Sequence, residues 1–379
     1  MPVNISAWRE LPERFVTASL DTVPVKNGDL SGFLSGIVSR RFSSKKYAKT
    51  KGLFNFHSWR PYYEDPLLTY SLYGENILNT MQTEVFYQYN ENDKTHSAGA
   101  SLVYGGFFPY ISAGTQYTFN REATAGSRLK QWDQLDNRVG VSIPLSWTKG
   151  KSFRQFNAGT NYFYRNDYNK GFYKDSFATV KFSYLHHFLS WSQQAERAPQ
   201  HIFPRWGYNG QLNYRHAITN YESWQFLASG SIYAPGIIPS HSLVITGAFQ
   251  ETDTLSTLFA NRLPYSRGYN AIYAARMWRT SVNYHFPIVY PDWGFGNILY
   301  LQRIRANAFY DFTKVYSRNK SITRDQRSVG GEIYIDTKWW NQYALTFGFR
   351  VGYLLDTDLV QPNRTIGWEF VLPVSILPR

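Results

Sequence analysis

The residues of this chain best suited to a defined interaction are Arg267, within Ser266-Arg267-Gly268-Tyr269, and Asp311, within Ala308-Phe309-Tyr310-Asp311-Phe312. A guanidinium and a carboxylate meet as a directional, charge-assisted pair. That chemistry makes and breaks no covalent bond; it ties one segment to another. Arg267 precedes a glycine, which admits the tight backbone of a loop tip, whereas Asp311 lies in a stretch of two-residue alternation. Over 298–312, Ile298, Tyr300, Ile304, Ala306, Ala308, Tyr310 and Phe312 share one face, and Arg303, Arg305, Asn307 and Asp311 share the other. The first face suits lipid and the second water, so a loop arginine folded into a water-lined interior would find Asp311 there.

An interior of that kind calls for a closed sheet, and the rest of the chain reads as one. From Leu53 onward, alternation recurs at intervals of roughly 20 residues, which suits strands of about ten residues plus turns. The clearest example is 342–353, where Tyr343, Leu345, Phe347, Phe349, Val351 and Tyr353 alternate with small or polar residues. Val180, Phe182, Tyr184, His186 and Phe188 interleave with Thr179, Lys181, Ser183 and His187, and Phe156, Ala158, Tyr162 and Tyr164 form another apolar row. Gly331, Ile333 and Ile335 oppose Ser328, Gly330, Glu332 and Asp336. Polar loops such as 316–324 alternate with tight turns such as Lys338-Trp339-Trp340-Asn341. The expected fold is all-β: a transmembrane antiparallel up-and-down β-barrel of about 16 strands, an even number as in outer-membrane barrels. Residues 1–50 read differently, with Arg9-Glu10, Glu13-Arg14 and the basic run Lys45-Lys46-Tyr47-Ala48-Lys49, and are expected to form an extra-barrel segment at a membrane face, with 51–379 as the barrel.

Composition agrees. The 379 residues include 30 Tyr, 27 Phe and 12 Trp but 3 Met, an aromatic excess suited to two membrane interfaces. Mean hydropathy is −0.42 and no window approaches the ~18 apolar residues of a spanning helix, which excludes a helical membrane protein. The net charge of +13 is dispersed over strands and turns, which argues against nucleic acid as a partner and fits solvated rims or phosphorylated lipid headgroups. Zero cysteines removes disulfide frameworks and thiolate metal sites. His57, His96, His186, His187, His201, His216, His241 and His285 contain no helical i, i+4 metal pair. No nucleophile elbow or phosphate-cradling loop is present. No metal, no cofactor and no enzymatic activity are expected. Residues 1–20 lack a basic start followed by an apolar core, which leaves either a leader already removed or a piece of a longer protein.

An ordered set of motifs in the last third resembles the barrel of the Omp85 superfamily, also called the bacterial surface antigen family. The set is Arg267-Gly268-Tyr269, then Asn283-Tyr284-His285-Phe286-Pro287-Ile288, Phe309-Tyr310-Asp311, Arg327-Ser328-Val329-Gly330-Gly331-Glu332 and Gly348-Phe349-Arg350-Val351-Gly352-Tyr353. The resemblance implies a 16-stranded barrel in the outer membrane of a Gram-negative bacterium, whose sixth extracellular loop folds inward so that Arg267, Gly268 and Tyr269 meet Asp311, with Glu332 a second acid. It covers roughly 240–379. Two departures stand out: Thr313 replaces a usual glycine, and the chain ends Leu377-Pro378-Arg379 without an aromatic. Nothing upstream resembles a βαββ-type periplasmic module. The segment Gly52-Leu53-Phe54-Asn55-Phe56-His57-Ser58-Trp59-Arg60-Pro61 is similar to the start of surface-antigen barrels fused behind a propeller domain.

Three functions stay open on these readings. The first is a barrel that takes part in protein insertion or translocation, with outer-membrane lipid, lipopolysaccharide and a polypeptide client or periplasmic or surface accessory subunits as partners. In that reading Pro373, which donates no ladder hydrogen bond, and Gly367 on the same expected strand (365–376) weaken a seam that is either a lateral gate or a frayed terminus. The second is a membrane anchor or accessory scaffold. The third is a pore made anion-preferring by the inward basic residues Arg303, Arg305 and Arg350.

Overall fold

The computed structural model describes residues 52–371, apart from positions 65, 126–127, 173, 199, 254–257, 264, 271, 273, 318, 320, 322 and 342. The expected N-terminal segment, residues 1–50, and Pro373 lie outside the described residues. The strands are β1 (Phe56–Glu64), β2 (Leu67–Glu75), β3 (Met81–Asn90), β4 (Thr95–Tyr104), β5 (Tyr110–Ala125), β6 (Arg128–Lys149), β7 (Ser152–Lys170), β8 (Lys181–Ala195) and β9 (Gly207–Ala217), then β10 (Trp224–Pro235), β11 (Ser242–Thr252), β12 (Arg276–Val289), β13 (Trp293–Phe295), β14 (Leu299–Tyr316), β15 (Thr323–Trp339), β16 (Tyr343–Leu354) and β17 (Ile366–Val371). Each pairs antiparallel with its sequence neighbour, except that β12 pairs directly with β14 and the three-residue β13 lies along the start of β14. Setting β13 aside leaves sixteen strands in one up-and-down meander.

The sheet is folded around its own loop. Phe259, between β11 and β12, packs edge-on against Tyr184 of β8 with ring centroids 5.3 Å apart. A few residues on, Gly268 lies so close to β17 that a Cβ at Gly367 would sit 3.2 Å from its Cα. In a flat sheet β8 and β17 would be separated by eight strand spacings, roughly 38 Å, so a segment touching both would have to run almost fully extended, which the turn at Gly268 does not allow. Curling the sheet into a barrel brings both walls within reach.

Alternation then separates lipid-facing from interior residues, and the usual burial rule is inverted. Among the described residues, buried polar side chains outnumber buried apolar ones, while large hydrophobics are widely exposed on the outer face. On β6 the exposed row is Val139, Val141, Ile143, Leu145 and Trp147, a nine-residue span of the kind a tilted transmembrane strand needs. The strand is 22 residues long, about twice the expected length, because its first half carries polar residues outward. There Asp133 accepts the Asn120 amide at 2.8 Å and pairs with Lys170 at 2.6 Å, so the ladder continues beyond the apolar belt in a polar environment. The β8 row departs from the outward-apolar rule in another way: Phe182 is 3% exposed and Tyr184 meets the loop, so that row faces the interior.

This two-sided arrangement predicts an asymmetric cost. Val141→Arg, on the outer belt, should lower unfolding stability in lipid vesicles by about 2–4 kcal/mol, whereas Ser231→Arg on the inner wall should cost far less; equal losses in urea titrations would contradict the assigned faces.

Candidate functional site

The strand pairing lays the inward residues of β12, β14, β15 and β16 side by side. Ser281 stands opposite Asp311, Asn307 opposite Glu332, Glu332 opposite Arg350, and Arg350 opposite Glu369 of β17. On β14, Asn307, Phe309, Asp311, Thr313 and Val315 are buried while Ala308 and Tyr310 are exposed. Asp311 and Glu332 therefore point inward as alternation requires, and Phe309 is the aromatic interruption of that polar row.

Arg267 descends from the β11–β12 loop onto this wall. Its backbone N–H and Nε donate to Asp311 Oδ2 at 2.9 and 2.8 Å, and Nη2 reaches Asp311 Oδ1 at 2.7 Å. Nη1 donates to Glu332 Oε1 at 3.0 Å, and Nη2 also lies 2.9 Å from Ser281 Oγ and 2.7 Å from Asn283 Oδ1. The guanidinium carbon sits 3.6 Å from the centroid of the Phe309 ring, a cation–π contact on the face left by the hydrogen bonds. Side-chain exposure is 12% for Arg267, 0% for Asp311 and 2% for Glu332. The acids are further engaged: Arg279 Nη2 donates to Asp311 at 3.0 Å, Asn307 Nδ2 to Glu332 Oε2 at 2.6 Å, and Arg350 bridges Glu332 and Glu369. Three guanidiniums (Arg267, Arg279, Arg350) thus face three carboxylates (Asp311, Glu332, Glu369). With charge matched and both buried acids hydrogen-bonded at each oxygen, so buried an ionic group becomes tolerable.

The flanking residues seat the loop tip. Ser266 Oγ lies 2.7 Å from Thr313 Oγ1 and donates to the Gln326 carbonyl at 2.8 Å. The threonine that departs from the family pattern therefore contributes a hydroxyl to the loop. Gly268 has φ +90°, a conformation open to glycine, and packs under β16 and β17 where Gly352 and Gly367 leave room. Tyr269 is buried, its hydroxyl shared between the carbonyls of Arg327 (2.8 Å) and Asp356 (2.9 Å) while accepting the Asp356 amide at 3.0 Å; burial pushes its phenol up to about 12. Asn270 Nδ2 donates to the buried Asp358 at 2.7 Å. Asp356 in turn accepts Arg327 Nε at 3.0 Å and Nη2 at 2.8 Å.

Of the residues singled out by sequence, Arg267, Gly268, Tyr269, Asp311, Glu332 and Arg350 converge here, and Gly367 borders the loop seat. Arg303 and Arg305 lie elsewhere on the same wall, and both pair with Asp336, at 2.6 and 3.0 Å. Arg350 is bound to two glutamates, and Arg303 and Arg305 share one carboxylate, so each of these cations is paired while the Asp336 cluster keeps a net positive charge. Sequence reasoning gave Ser266 and Thr313 no contact of their own and passed over Arg279, Ser281, Asp356 and Asp358. The inward parity of Ser281 with Asn283 was a usable signal; Asp356 and Asp358, in the β16–β17 loop, follow no period.

No protein-family model matches the chain, and no curated protein does. Solved structures do match. BamA from Haemophilus ducreyi lacking POTRA domains 1–3 aligns over 80% of this chain and 66% of its own, with a TM-score of 0.53 at 12% identity. CdiB from Escherichia coli aligns over 80% of this chain and 58% of its own, with a TM-score of 0.51 at 10% identity. The chain shares the barrel fold of these two structures. It spans 66% and 58% of the lengths of those two structures.

Two outcomes follow for the site. Arg267→Ala strands buried acids and should cost about 3–5 kcal/mol, and much less in an Asp311→Asn background; a urea-unfolding double-mutant cycle that came out additive would show that the two side chains do not interact. At the loop tip, the Arg327 guanidinium beside Asp356 holds its carboxyl below the ordinary 3.8. A lowered folded-state pKa means the tie is complete above that ordinary value and is lost as pH falls through the lower folded one. Proteolysis of the 355–365 loop should accordingly be flat from pH 8 to about 5 and rise only in stronger acid; a rise near neutrality would point to another group.

Proposed function

We propose that this protein is an outer-membrane barrel of a Gram-negative bacterium that takes part in inserting polypeptides into that membrane or passing them across it, with the Arg267 tether keeping the β11–β12 loop folded into the lumen. The observation that carries this reading is the buried contact of Arg267 with Asp311 and Glu332, on a barrel whose fold is that of BamA and CdiB. The mechanism is physical. A strand of the client adds to an unpaired backbone edge, while the tethered loop keeps the lumen from becoming an open channel. The last described strand is the site proposed for that edge: β17 pairs with β16 over Gly348 to Tyr353, and Gly367 limits what the seam gains from side-chain packing. Polypeptide clients, accessory subunits and lipid, including lipopolysaccharide, are the proposed partners.

The test is reconstitution. Vesicles containing the protein should convert a urea-unfolded eight-stranded outer-membrane barrel to its protease-protected form several-fold faster than empty vesicles, and Arg267→Ala should abolish most of that gain. Equal conversion in protein-containing and empty vesicles would overturn the proposal and leave an anchoring role.

A further inference from the structure

The β8–β9 connection, residues 196–206, lies at the opposite end of the barrel from the β11–β12 loop, because an up-and-down meander places successive connections at alternating ends. Eleven residues are far more than a tight turn requires, and the stretch 201–204 turns inward from exposed flanks. Ile202 is 4% exposed and Pro204 is buried. Phe203 places its ring 4.7 Å from His285 of β12 and 5.7 Å from Tyr233 of β10, both on the inner wall. The Gln200 carbonyl accepts Tyr290 Oη at 3.0 Å and Arg303 Nη1, from β14, at 3.4 Å. Arg197 Nη1 donates to the Ile202 carbonyl at 2.8 Å, which stiffens the segment from within. From β9 to β14 is four strand spacings, roughly 19 Å, so the segment crosses a quarter of the barrel's inner perimeter.

The inner face of β10 shows what lies between the two inward segments. Taken along the strand, Gln225 donates to the Ala260 carbonyl of the loop at 2.9 Å and Leu227 packs against Leu263 of the loop. Ser229 and Ser231 come next and line a cavity of about 890 Å³. Tyr233 follows, against Phe203. The cavity walls are neutral hydrogen-bonding side chains such as Asn157, Ser192 and Gln211, with Arg262 and Arg279 on the loop side. Loop, cavity and second segment are stacked in that order along one strand.

We propose that residues 196–206 form a second closure of the lumen, a strap across the end opposite the loop, so that the interior is a chamber shut at both ends. Arg303 is its anchor on the wall, held in turn by Asp336, and the Phe203–His285 contact is its seat. This proposal does not rest on the function proposed above.

The chain has no cysteine, so a single Ser229→Cys reports on access to the chamber. In otherwise unaltered protein a membrane-impermeant maleimide should label it slowly from either side. Replacing 198–205 with a Gly-Ser linker should speed labelling from the strap end by about tenfold or more, with Phe203→Ala giving a smaller gain in the same direction. Because closures in series limit flow together, the linker variant combined with Arg267→Ala should raise single-channel conductance beyond the sum of the separate rises. Heat-modifiable gel migration identifies folded barrels, and Phe203→Ala stands in if the linker variant does not fold. Unchanged labelling from the strap end in a folded variant, or a double variant conducting no better than Arg267→Ala alone, would overturn the proposal.

Discussion

The structure depends on one guanidinium buried against a carboxylate that has no access to solvent. Isolated, either charge would be far too costly on a wall so poorly hydrated. Together, with Glu332, Arg279, Ser281, Asn283 and the Phe309 ring around them, they fix where the β11–β12 loop must lie. A loop placed there needs room, and the room is supplied by glycine at 268, 352 and 367. It also needs apolar cover, supplied by Leu227, Leu263 and Met277, which form the small hydrophobic cluster beneath it. The compact apolar core of this protein is therefore not inside a sheet sandwich but underneath a loop.

Much of this could be read from the amino-acid order. Alternation along β14 and β16 told the inward faces apart, because in a barrel one residue in two must meet lipid and that requirement acts on each strand separately. Asp311 and Glu332 were legible as inward-facing acids from alternation alone, whereas their meeting with Arg267 was an expectation of the resemblance carried by the ordered motifs of the last third. The aromatic row of β8 shows where the rule fails: Phe182 and Tyr184 are apolar and still face inward, since Phe259 of the loop covers Tyr184, and no local pattern announces a partner that arrives from a distant loop. Strand length failed for a related reason. The apolar belt of β6 marks membrane thickness, while its hydrogen-bonded ladder runs on past the belt wherever outward polar pairs such as Asp133 and Lys170 support it. Arg303 and Arg305 were placed on the correct face, but their pairing with Asp336 depended on a neighbouring strand's register, which single-strand alternation does not encode.

The inner face of β14 joins the two ends of the molecule. Thr313, Asp311 and Phe309 serve the loop; Asn307 bonds Asn283 and Glu332; Arg305 and Arg303 bind Asp336, and Arg303 reaches Gln200. Each alternate residue from 303 to 313 is engaged, so this strand has little inner surface left for a passing chain.

A two-residue slip of β14 against β12 would keep its lipid and lumen faces intact, since side-chain direction repeats every second residue. Hydrophobicity alone cannot reject that error. The buried charges can: such a shift would set Phe309 or Thr313 opposite Ser281 in place of Asp311 and leave Arg267 over a ring or a neutral hydroxyl where it now meets a carboxylate. The ion pair thus discriminates between alignments that greasy and wet surfaces treat as equivalent.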